Sequence, residues 1–340
     1  MNNISIVGID LAKHVFQLHA VDDSGHKVFS KKIKRDQLRT VMANLPPCIV
    51  AMEACGSAHY WAREISQLGH DAQLLPPQAV KPFIQGHKND ARDAAGIAEA
   101  AARPATRRVT VKTQEQQSLQ ALHRVRSRLV RARTVVGNEL RGLLNEVGII
   151  VAQGHRVIRQ GDIRQWLDER HDQLGATLCN VIHDLLDEWL ALDTRIAEYD
   201  KRLEAYVQAS PCTKQLMSAP GIGPVNATLL VSHMGDPKRF PNGRQFSASI
   251  GLVPRQYSSG GKNVLKSITK RGNSEVRRQL VHGARAALRQ FQRQEHPDRL
   301  AQWVIRLAAR VGQRNAIVAL ANKMARICWS ILAHQRSYQA

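Results

Sequence analysis

Residues 4–34 read ISIVGIDLAKHVFQLHAVDDSGHKVFSKKIK, and this stretch decides the fold of the first third of the chain. It contains three runs of strand length, rich in Val, Ile and Phe, with short polar turns between them. Such runs predict three strands joined as hairpins. A helix over 35–45 follows, and Pro46 and Pro47 end it.

The next part of the chain alternates between strand and helix patterns. The segments are a buried strand CIVAMEA (48–54), a serine-capped helix SAHYWAREISQLG (57–69), a strand DAQLLP (71–76) and a helix NDARDAAGIAEAAA (89–102). Three strands in hairpins, followed by helix, strand, helix, strand and helix, is the order of the RNase H-like fold. The sequence therefore predicts an α/β domain of this type over 1–105.

Four carboxylates occupy special places in this pattern. Asp10 ends the first strand and Glu53 ends the fourth, and these strands are neighbours in the expected sheet. Asp90 and Asp93, in KNDARDAA (88–95), lie on one face of a helix, where their charges repel unless something positive lies between them. We expect all four carboxylates to meet in one pocket.

Such a pocket needs divalent cations to stay ionised, and hard oxygen ligands favour Mg²⁺ or Mn²⁺. The chemistry that it supports is phosphoryl transfer. Taken singly, each carboxylate has a structural interpretation, because acidic residues at strand ends are common in caps and turns. Asp90 could also form a surface ion pair with Arg92.

The middle of the chain, 106–210, is predicted to be a helical coiled-coil linker and oligomerisation region. Residues 114–147 have an amphipathic helical pattern, and a turn is expected around 148–161. Nine apolar residues then follow a heptad: Leu178, Ile182, Leu185, Trp189, Leu192, Ile196, Tyr199, Leu203 and Tyr206. The pattern fits a dimerising arm and an intramolecular hairpin equally well.

The last part, 211–340, is predicted to be a mainly α domain with a helix-hairpin-helix-like element. APGIGPVNA (219–227) places glycines between two apolar helical stretches, and such a turn can present backbone amides to a phosphate. An ordinary glycine turn between two core helices is the alternative.

The positive charge is concentrated at the C-terminal end. Of a net +21, residues 241–340 contribute 18 Lys or Arg against 3 Asp or Glu, whereas residues 1–100 carry 11 against 10. This is the pattern of a protein that binds a polyanion, and nucleic acid is the favoured partner. A basic surface that only aids solubility is the alternative.

The remaining composition points to a reducing compartment. The five cysteines are spread out without a CxxC pair, which favours neither a disulfide framework nor a zinc site. The N-terminus lacks the features of a signal peptide, and no apolar run is predicted to span a bilayer. We expect a cytoplasmic protein that is nucleoid-associated when active and has no membrane partner.

Several motifs together resemble a known family, the DEDD transposases of bridge-RNA-guided insertion sequences. They are GIDLAK (8–13), MEACG (52–56), KNDARDA (88–94), APGIGPVNA (219–227), GLVPRQYSSGGK (251–262) and ITKRGN (268–273). The resemblance covers nearly the whole chain. It implies an N-terminal domain like the RuvC Holliday junction resolvase and a C-terminal transposase domain that carries a serine.

The resemblance also implies the active-site residues. The metal-binding and catalytic tetrad would be Asp10, Glu53, Asp90 and Asp93, and the nucleophile would be Ser259 before Gly260, with the adjacent Ser258 as the other assignment. Ser259 would attack a scissile phosphate to form a serine–DNA link, and strand exchange would pass through a Holliday junction. This requires the two domains to meet at the DNA, within one chain or between chains.

The implied partners are donor and target DNA, a structured noncoding guide RNA, and further copies of the chain as a dimer that assembles to a tetramer. Basic residues of the long helix and of the C-terminal domain would bind backbone phosphates. The candidates are Arg124, Arg128, Arg131, Lys262, Lys266, Lys270, Arg271, Arg277 and Arg278.

Three other functions fit parts of the sequence. A RuvC-like junction resolvase or nuclease would share the acidic pocket and use water without a covalent step. A sugar kinase or ATPase of the actin-like type would use GIDLAK as a phosphate loop, although no second glycine-rich phosphate loop follows. A non-catalytic nucleic-acid-binding protein would need only the basic surface.

Overall fold

The computed structural model describes residues 3–84, 89–161 and 163–339. The chain forms two compact units, Met1–Gln114 and Glu115–Ala340. The first boundary lies close to the predicted one at 105, and the predicted further division at 210 stays a prediction.

The first unit contains a five-stranded mixed sheet and four helices. Its strands are β1 (Ile4–Leu11), β2 (Val15–Asp22), β3 (Lys27–Lys34), β4 (Ile49–Glu53) and β5 (Asp71–Leu75), and its helices are α1 (Leu38–Ala43), α2 (Ala58–Gln67), α3 (Pro77–Val80) and α4 (Asp90–Ala102). The strand order is β3-β2-β1-β4-β5, with β1, β2 and β3 antiparallel and β4 and β5 parallel to β1. The mixed α/β sheet is confirmed and is consistent with the predicted RNase H-like domain.

Each face of the sheet carries its own apolar core. Side chains that alternate along the strands separate the two faces. On one face Phe16 and Met52 pack with Trp61 of α2, and on the other Ala51 packs with Ile97 of α4. This arrangement lays α4 across β1 and β2 and fixes where its N-terminus lies.

The second unit is mostly helical. It contains α5 (Gln114–Glu146), α6 (His155–Gln160), α7 (Ile163–Glu169), α8 (His171–Leu174), α9 (Ala176–Ala209), α10 (Pro211–Leu216), α11 (Pro224–Met234), α12 (Gly243–Ser249), α13 (Ser274–Phe291), α14 (Arg299–Val311) and α15 (Gln313–His334), with one hairpin, β6 (Pro254–Ser259) and β7 (Lys262–Ile268). Helices α11 to α15 surround the larger apolar core of this unit.

The heptad of α9 packs against α5 of the same chain. Ile182, Leu186 and Trp189 share an apolar cluster with Val136 and Leu140 of α5. We call this contact the α5–α9 seam. The intramolecular alternative therefore describes this part of the chain. The heptad row formed by Leu178, Leu185, Leu192, Tyr199 and Tyr206 is only partly buried. Its pairing with another copy stays a prediction.

The connection between α5 and α9 differs from the predicted turn around 148–161. It runs to residue 175 and contains the short helices α6, α7 and α8. Ile158 and Leu167 from these helices are buried against the end of the α5–α9 seam. Short polar segments with few apolar residues give little periodicity to read, and only the contact with the long helices shows that they are helical.

A buried ion pair lies within the α5–α9 seam. Asp193 is 6% exposed and pairs with Arg133 of α5 and Arg159 of α6. Burial alone would raise the pKa of Asp193, but the hydrogen bonds and charges of the two arginines together outweigh it and lower the pKa. Asp193 thus ties three helices together, one residue after the heptad position of Leu192.

Helix α15 corrects the expectation that no segment is long enough to span a bilayer. By length and composition Gln313–His334 could cross a membrane. Its face formed by Leu320, Met324, Cys328 and Ile331 is buried in the core of the second unit, where α15 packs with α12, α13 and α14. Its apolar character is therefore explained by its place in that core.

Candidate active site

Asp10 lies near the end of β1, on the face of the sheet that α4 covers. Ile9 points into the opposite core, so the alternation of the strand turns Gly8 and Asp10 toward α4. A Cβ atom at Gly8 would lie 2.3 Å from the backbone oxygen of Ala94 and 2.7 Å from the backbone nitrogen of Ala98. The glycine thus lets α4 approach β1 closely and brings the start of the helix to Asp10.

Glu53 ends β4, the parallel neighbour of β1. Ile9 pairs with Met52, so the next pair in that register would join Asp10 and Glu53. Met52 belongs to the core on the α2 face, which places Glu53 on the α4 face with Asp10. The half-exposed Glu53 is not part of the group of carboxylates that Asp10, Asp90 and Asp93 form, so its place in the predicted pocket stays a prediction.

Asp90 and Asp93 lie in the first turn of α4. The Asn89 side chain accepts a hydrogen bond from the Ala91 backbone N–H at 2.9 Å and so caps the helix. Negative charge is favourable at this end of a helix because of the helix dipole. The local sequence therefore fixes both where α4 begins and which way these carboxylates point.

The structure brings Asp10, Asp90 and Asp93 together. Each has a carboxylate oxygen within 4.8 Å of an oxygen of the other two. We call these three residues the acidic cluster. Their like charges repel, and Lys32 of β3 lies 3.8 Å from Asp90. Both partners of that pair are largely exposed, at 62% and 58%, so the lysine compensates little of the repulsion.

The donor set fits a divalent metal ion. Three carboxylates at this spacing offer only hard oxygen ligands, which suit Mg²⁺, Mn²⁺ or Ca²⁺ rather than softer metals. The described residues show no His or Cys in this group. Lys88, the first residue of the motif KNDARDAA, lies outside the described residues.

The candidate nucleophile lies in the β6–β7 hairpin. Ser259 ends β6 and pairs with Lys262 across a two-residue turn of Gly260 and Gly261, whose φ angles are 55° and 78°. Two positive φ angles are typical of a type I′ hairpin turn and explain the two glycines. The adjacent Ser258 donates a hydrogen bond to Asn263 Oδ1 at 3.0 Å and accepts one from Gln256.

The hairpin is exposed on both sides. Tyr257 is 70% exposed and Leu265 is 66% exposed, although large apolar side chains are usually buried. The Lys266 ammonium lies 4.8 Å from the centre of the Tyr257 ring. An exposed two-stranded ribbon with basic and aromatic side chains has the dimensions and charge to enter a groove of nucleic acid.

The predicted phosphate-binding residues fall into two groups. Those with exposed side chains are Arg124, Arg128, Arg131, Lys262, Lys266, Lys270, Arg271 and Arg278. Arg277 is half-buried and donates to the backbone oxygens of Ile250 and Arg271, both at 2.9 Å. Arg277 therefore stabilises the loop before α13. Of the exposed group, Arg278 forms an ion pair with Glu275.

Two further arginines of α5 are not part of its basic surface. Arg126 pairs with Asp200 and Arg133 with Asp193, and both arginine side chains are less than one-fifth exposed. The two lie seven residues apart, so both face α9. Arg126 and Arg133 are spaced by one heptad and have acidic partners on α9. This sequence feature could have distinguished them from the exposed Arg124, Arg128 and Arg131.

Sequence reasoning missed three residues of the candidate site. Gly8 carries no chemistry, and its role is apparent only when α4 lies on β1. Lys32 reaches Asp90 because β3 lies at the edge of the sheet beside β2. Asn89 could have been found, because an Asn directly before an acidic first turn is a helix-start signal.

Comparison with known proteins assigns the chain to a family. Residues 213–301 match the model described as Transposase IS116/IS110/IS902 family, and residues 7–149 match a DEDD model for IS110 described as Transposase. Among similar proteins, a probable family 20 transposase of Pseudomonas aeruginosa is 45% identical, over 99% of both chains.

Two further relatives cover nearly the whole chain. The transposase for insertion sequence element IS1111A of Coxiella burnetii is 42% identical over 100% of this chain and 92% of its own. The transposase for insertion sequence element IS1328 of Yersinia enterocolitica is 41% identical over 97% of each. These relatives are transposases, enzymes that act on DNA as recombinases. The chain belongs to the IS116/IS110/IS902 family of insertion-sequence transposases.

Proposed function

We propose that this transposase cleaves and exchanges DNA strands with a divalent metal at the acidic cluster and with Ser259 as its nucleophile. The observation that carries the proposal is the convergence of Asp10, Asp90 and Asp93, within 4.8 Å of one another, from a strand end and a helix start. Glu53, which ends the neighbouring strand β4, would add a fourth carboxylate. Mg²⁺ or Mn²⁺ is the cation that this oxygen-only set favours.

The acidic cluster would hold the metal beside the scissile phosphate. Bound there, the cation would offset the negative charge that develops on the phosphate oxygens during phosphoryl transfer. The residues of the chain supply the rest. Gly8 and the Asn89 cap hold α4 in place, so that Asp90 and Asp93 are oriented before the substrate arrives.

The Ser259 hydroxyl would form a bond to phosphorus as the bridging P–O bond of the DNA strand breaks. The hydroxyl proton would pass to water, the leaving oxygen on the freed strand end would take up a proton from water, and the chain would be joined to DNA as a phosphoserine. Ser258 is the other assignment of the nucleophile, and its hydroxyl donates a hydrogen bond to Asn263. Rejoining to a second strand would reverse these bonds and release Ser259.

Sequence choice is proposed to come from a structured noncoding RNA that pairs with donor and target DNA. The exposed arginines of α5 and the lysines of β7 would bind phosphates of the RNA and DNA without reading their sequence. The turn between α10 and α11 would act as a helix-hairpin-helix-like contact to the backbone. A dimer that assembles to a tetramer would bring the two DNA partners together.

The test is to trap the covalent species. Purified protein is incubated with DNA that contains the element's junction, its co-purifying RNA and Mg²⁺, and the products are separated under denaturing conditions. We expect a protein–DNA adduct that contains Ser259 by mass spectrometry. Ser259→Ala should abolish it, and Ser258→Ala should leave it intact.

Carboxylate variants test the metal site in the same assay. Asp93→Asn should remove both the adduct and strand cleavage while DNA binding survives. Asp23→Asn, in the exposed β2–β3 turn at the other end of the sheet, is the matched control and should have no effect. Cleavage by Ser259→Ala at the normal rate would instead favour a nuclease or resolvase that uses water.

A further inference from the structure

An open cleft in the first unit lies apart from the acidic cluster and has no assigned role. Its volume is about 680 Å³, within the range of roughly 300–1,000 Å³ that is usual for ligand sites. It forms where β2 begins, β3 ends and α2 starts. Its lining consists of His14, Val15, Lys34, Arg35, Asp36, Tyr60 and Trp61. We call it the aromatic cleft.

The aromatic side of the cleft is held rigidly. Tyr60 is 46% exposed, and its ring meets the Trp61 ring edge to face, with centroids 5.1 Å apart. Trp61 in turn packs edge to face on Phe16 at 5.4 Å. The Arg35 guanidinium lies 5.4 Å from the Trp61 ring centre and 5.5 Å from that of Phe16. Tyr60 therefore presents a flat, supported ring to solvent.

Trp61, which lines the cleft, contains a buried hydrogen-bond donor. Trp61 is only 6% exposed, and its indole Nε1–H has no hydrogen-bond partner among the described residues. A buried donor without a partner costs free energy, and few such groups occur in folded proteins.

The charges around the cleft select an anionic ligand. Lys34 is exposed, Arg35 half-buried, and His14 exposed, against the single carboxylate of Asp36. A flat ring combined with basic side chains suits a nucleotide, which has both a π face and a phosphate. An acidic peptide would match the charge but would leave the Tyr60 ring without a stacking partner.

The position of the cleft relates it to the acidic cluster of the same unit. Val15 pairs with Lys34, and Asp10 pairs with Gln17, so both sites lie at the same end of the sheet. They lie on opposite faces, because Phe16 packs with α2 and the acidic cluster faces α4. A duplex cannot stack its paired bases on an exposed ring, whereas an unpaired strand that passes this end of the sheet can.

We infer that the aromatic cleft binds an unpaired nucleotide of a single-stranded segment, with its base stacked on Tyr60 and its phosphate held by Lys34 and Arg35. This inference rests on the proposed function in that it takes nucleic acid as the substrate. The strand can be DNA displaced during exchange or an unpaired part of RNA. Both offer the same base and phosphate chemistry, and the experiment separates them.

The experiment measures fluorescence anisotropy of labelled oligothymidylate, oligouridylate and a blunt DNA duplex with the full chain in EDTA. Tyr60→Ala should weaken single-strand binding by about tenfold, in line with the usual contribution of one base–aromatic stack. Tyr60→Phe keeps the ring and should bind as the unmodified protein does. Duplex affinity should be the same for all three proteins. The oligonucleotide that shows the larger loss identifies the strand.

Other outcomes would overturn the inference. They are unchanged single-strand affinity in Tyr60→Ala, an equal loss in Tyr60→Phe, or an equal loss for the duplex. If Tyr60→Ala lowers the unfolding midpoint, the exposed Lys34→Ala variant replaces it, with the same expected preference for single strands. The binding experiment contains EDTA, which prevents metal-dependent cleavage, so its result does not depend on formation of the covalent adduct. Loss of the cleft inference would likewise leave the result of the covalent-adduct assay unchanged.

Discussion

At the scale of single residues, Gly8 controls the candidate site without contributing a reactive group. Gly8→Ala would place a Cβ 2.3 Å from the backbone oxygen of Ala94. Because this clash is with a backbone atom, the movement of a side chain cannot relieve it. We expect a loss of about 1–3 kcal/mol in the free energy of unfolding, together with weaker Mn²⁺ binding at the acidic cluster. Urea unfolding and Mn²⁺ titration by electron paramagnetic resonance measure the two effects.

Gly56→Ala is the matched control for this substitution. A Cβ at Gly56 meets nothing within 4 Å, and its backbone needs no positive φ. Stability and Mn²⁺ affinity should stay within the error of the unmodified protein. If Gly8→Ala behaved like Gly56→Ala, the close approach of α4 to β1 would not determine the site.

The sequence predicts reactive residues better than supporting ones. Asp10, Asp90 and Asp93 could be chosen because carboxylates at strand ends and helix starts follow from local patterns. Gly8 lies in an apolar strand, and nothing local indicates that it contacts the backbone of a helix at Ala94 and Ala98, far away in the sequence. Ser259 was proposed from a family motif, and its place in a hairpin became clear only from the β6–β7 pairing.

At the scale of elements, the α5–α9 seam depends on a charged residue. Asp193→Asn would leave the buried Arg133 without a charged partner, and we expect the free energy of unfolding to fall by about 3 kcal/mol. Asp187→Asn is the control, because Asp187 is 68% exposed and pairs with the accessible Arg164. That change should cost less than about 1 kcal/mol in urea unfolding.

A buried histidine gives the contact between α5 and α11 a defined pH dependence. Burial, and then the nearby Arg126, lower the pKa of His123 to about 4, against an opposing effect of Glu275. Its Nε2 lies 3.0 Å from Thr228 Oγ1. Between its ordinary pKa of 6.5 and about 4, the unfolded chain takes up a proton that the folded chain does not. Stability should therefore fall as the pH drops through this window.

The measurement is urea unfolding at several pH values. The loss assigned to His123 reaches about 3 kcal/mol at the acid end of the window. His123→Gln should flatten this part of the profile, whereas His26→Gln, with an 84% exposed side chain, should not. An unchanged pH profile in His123→Gln would show that other groups cause the acid sensitivity.

Elements with a strong internal period were predictable, and those held by their neighbours were not. The five strands and the helices α2, α4, α5 and α9 all follow from alternation or heptads. Helices α6, α7 and α8 are short and become helical against the α5–α9 seam. The hairpin β6–β7 had one signal, two glycines between strand-like runs, and the pairing of the two strands shows what it means.

At the scale of the whole molecule, the uneven charge should appear in the salt dependence of DNA binding. Exposed Lys262 and Lys266 on β7 are expected to neutralise one phosphate each. Replacing both by alanine should reduce the slope of log K against log salt by about two, since each contact contributes roughly 0.9. Filter binding with an unrelated duplex at several salt concentrations measures the slope.

The control for this pair is a double substitution of exposed lysines in the first unit. Lys27→Ala with Lys31→Ala removes the same charge from β3, at two residues for which no phosphate contact is proposed. Its slope should match that of the unmodified protein. Equal slopes for both double variants would mean that net charge alone, and not the hairpin, governs binding.

The contact of β1 with α4 has a consequence for how the enzyme tolerates change. At Gly8 the backbones of β1 and α4 are in direct contact, and no side chain lies between them. The distance between these two elements therefore stays the same when core side chains are exchanged or when the temperature rises. The spacing of the carboxylates is thereby insulated from most mutations elsewhere in the unit. A transposase of this family can therefore diverge widely in its core and surface while the acidic cluster keeps one shape.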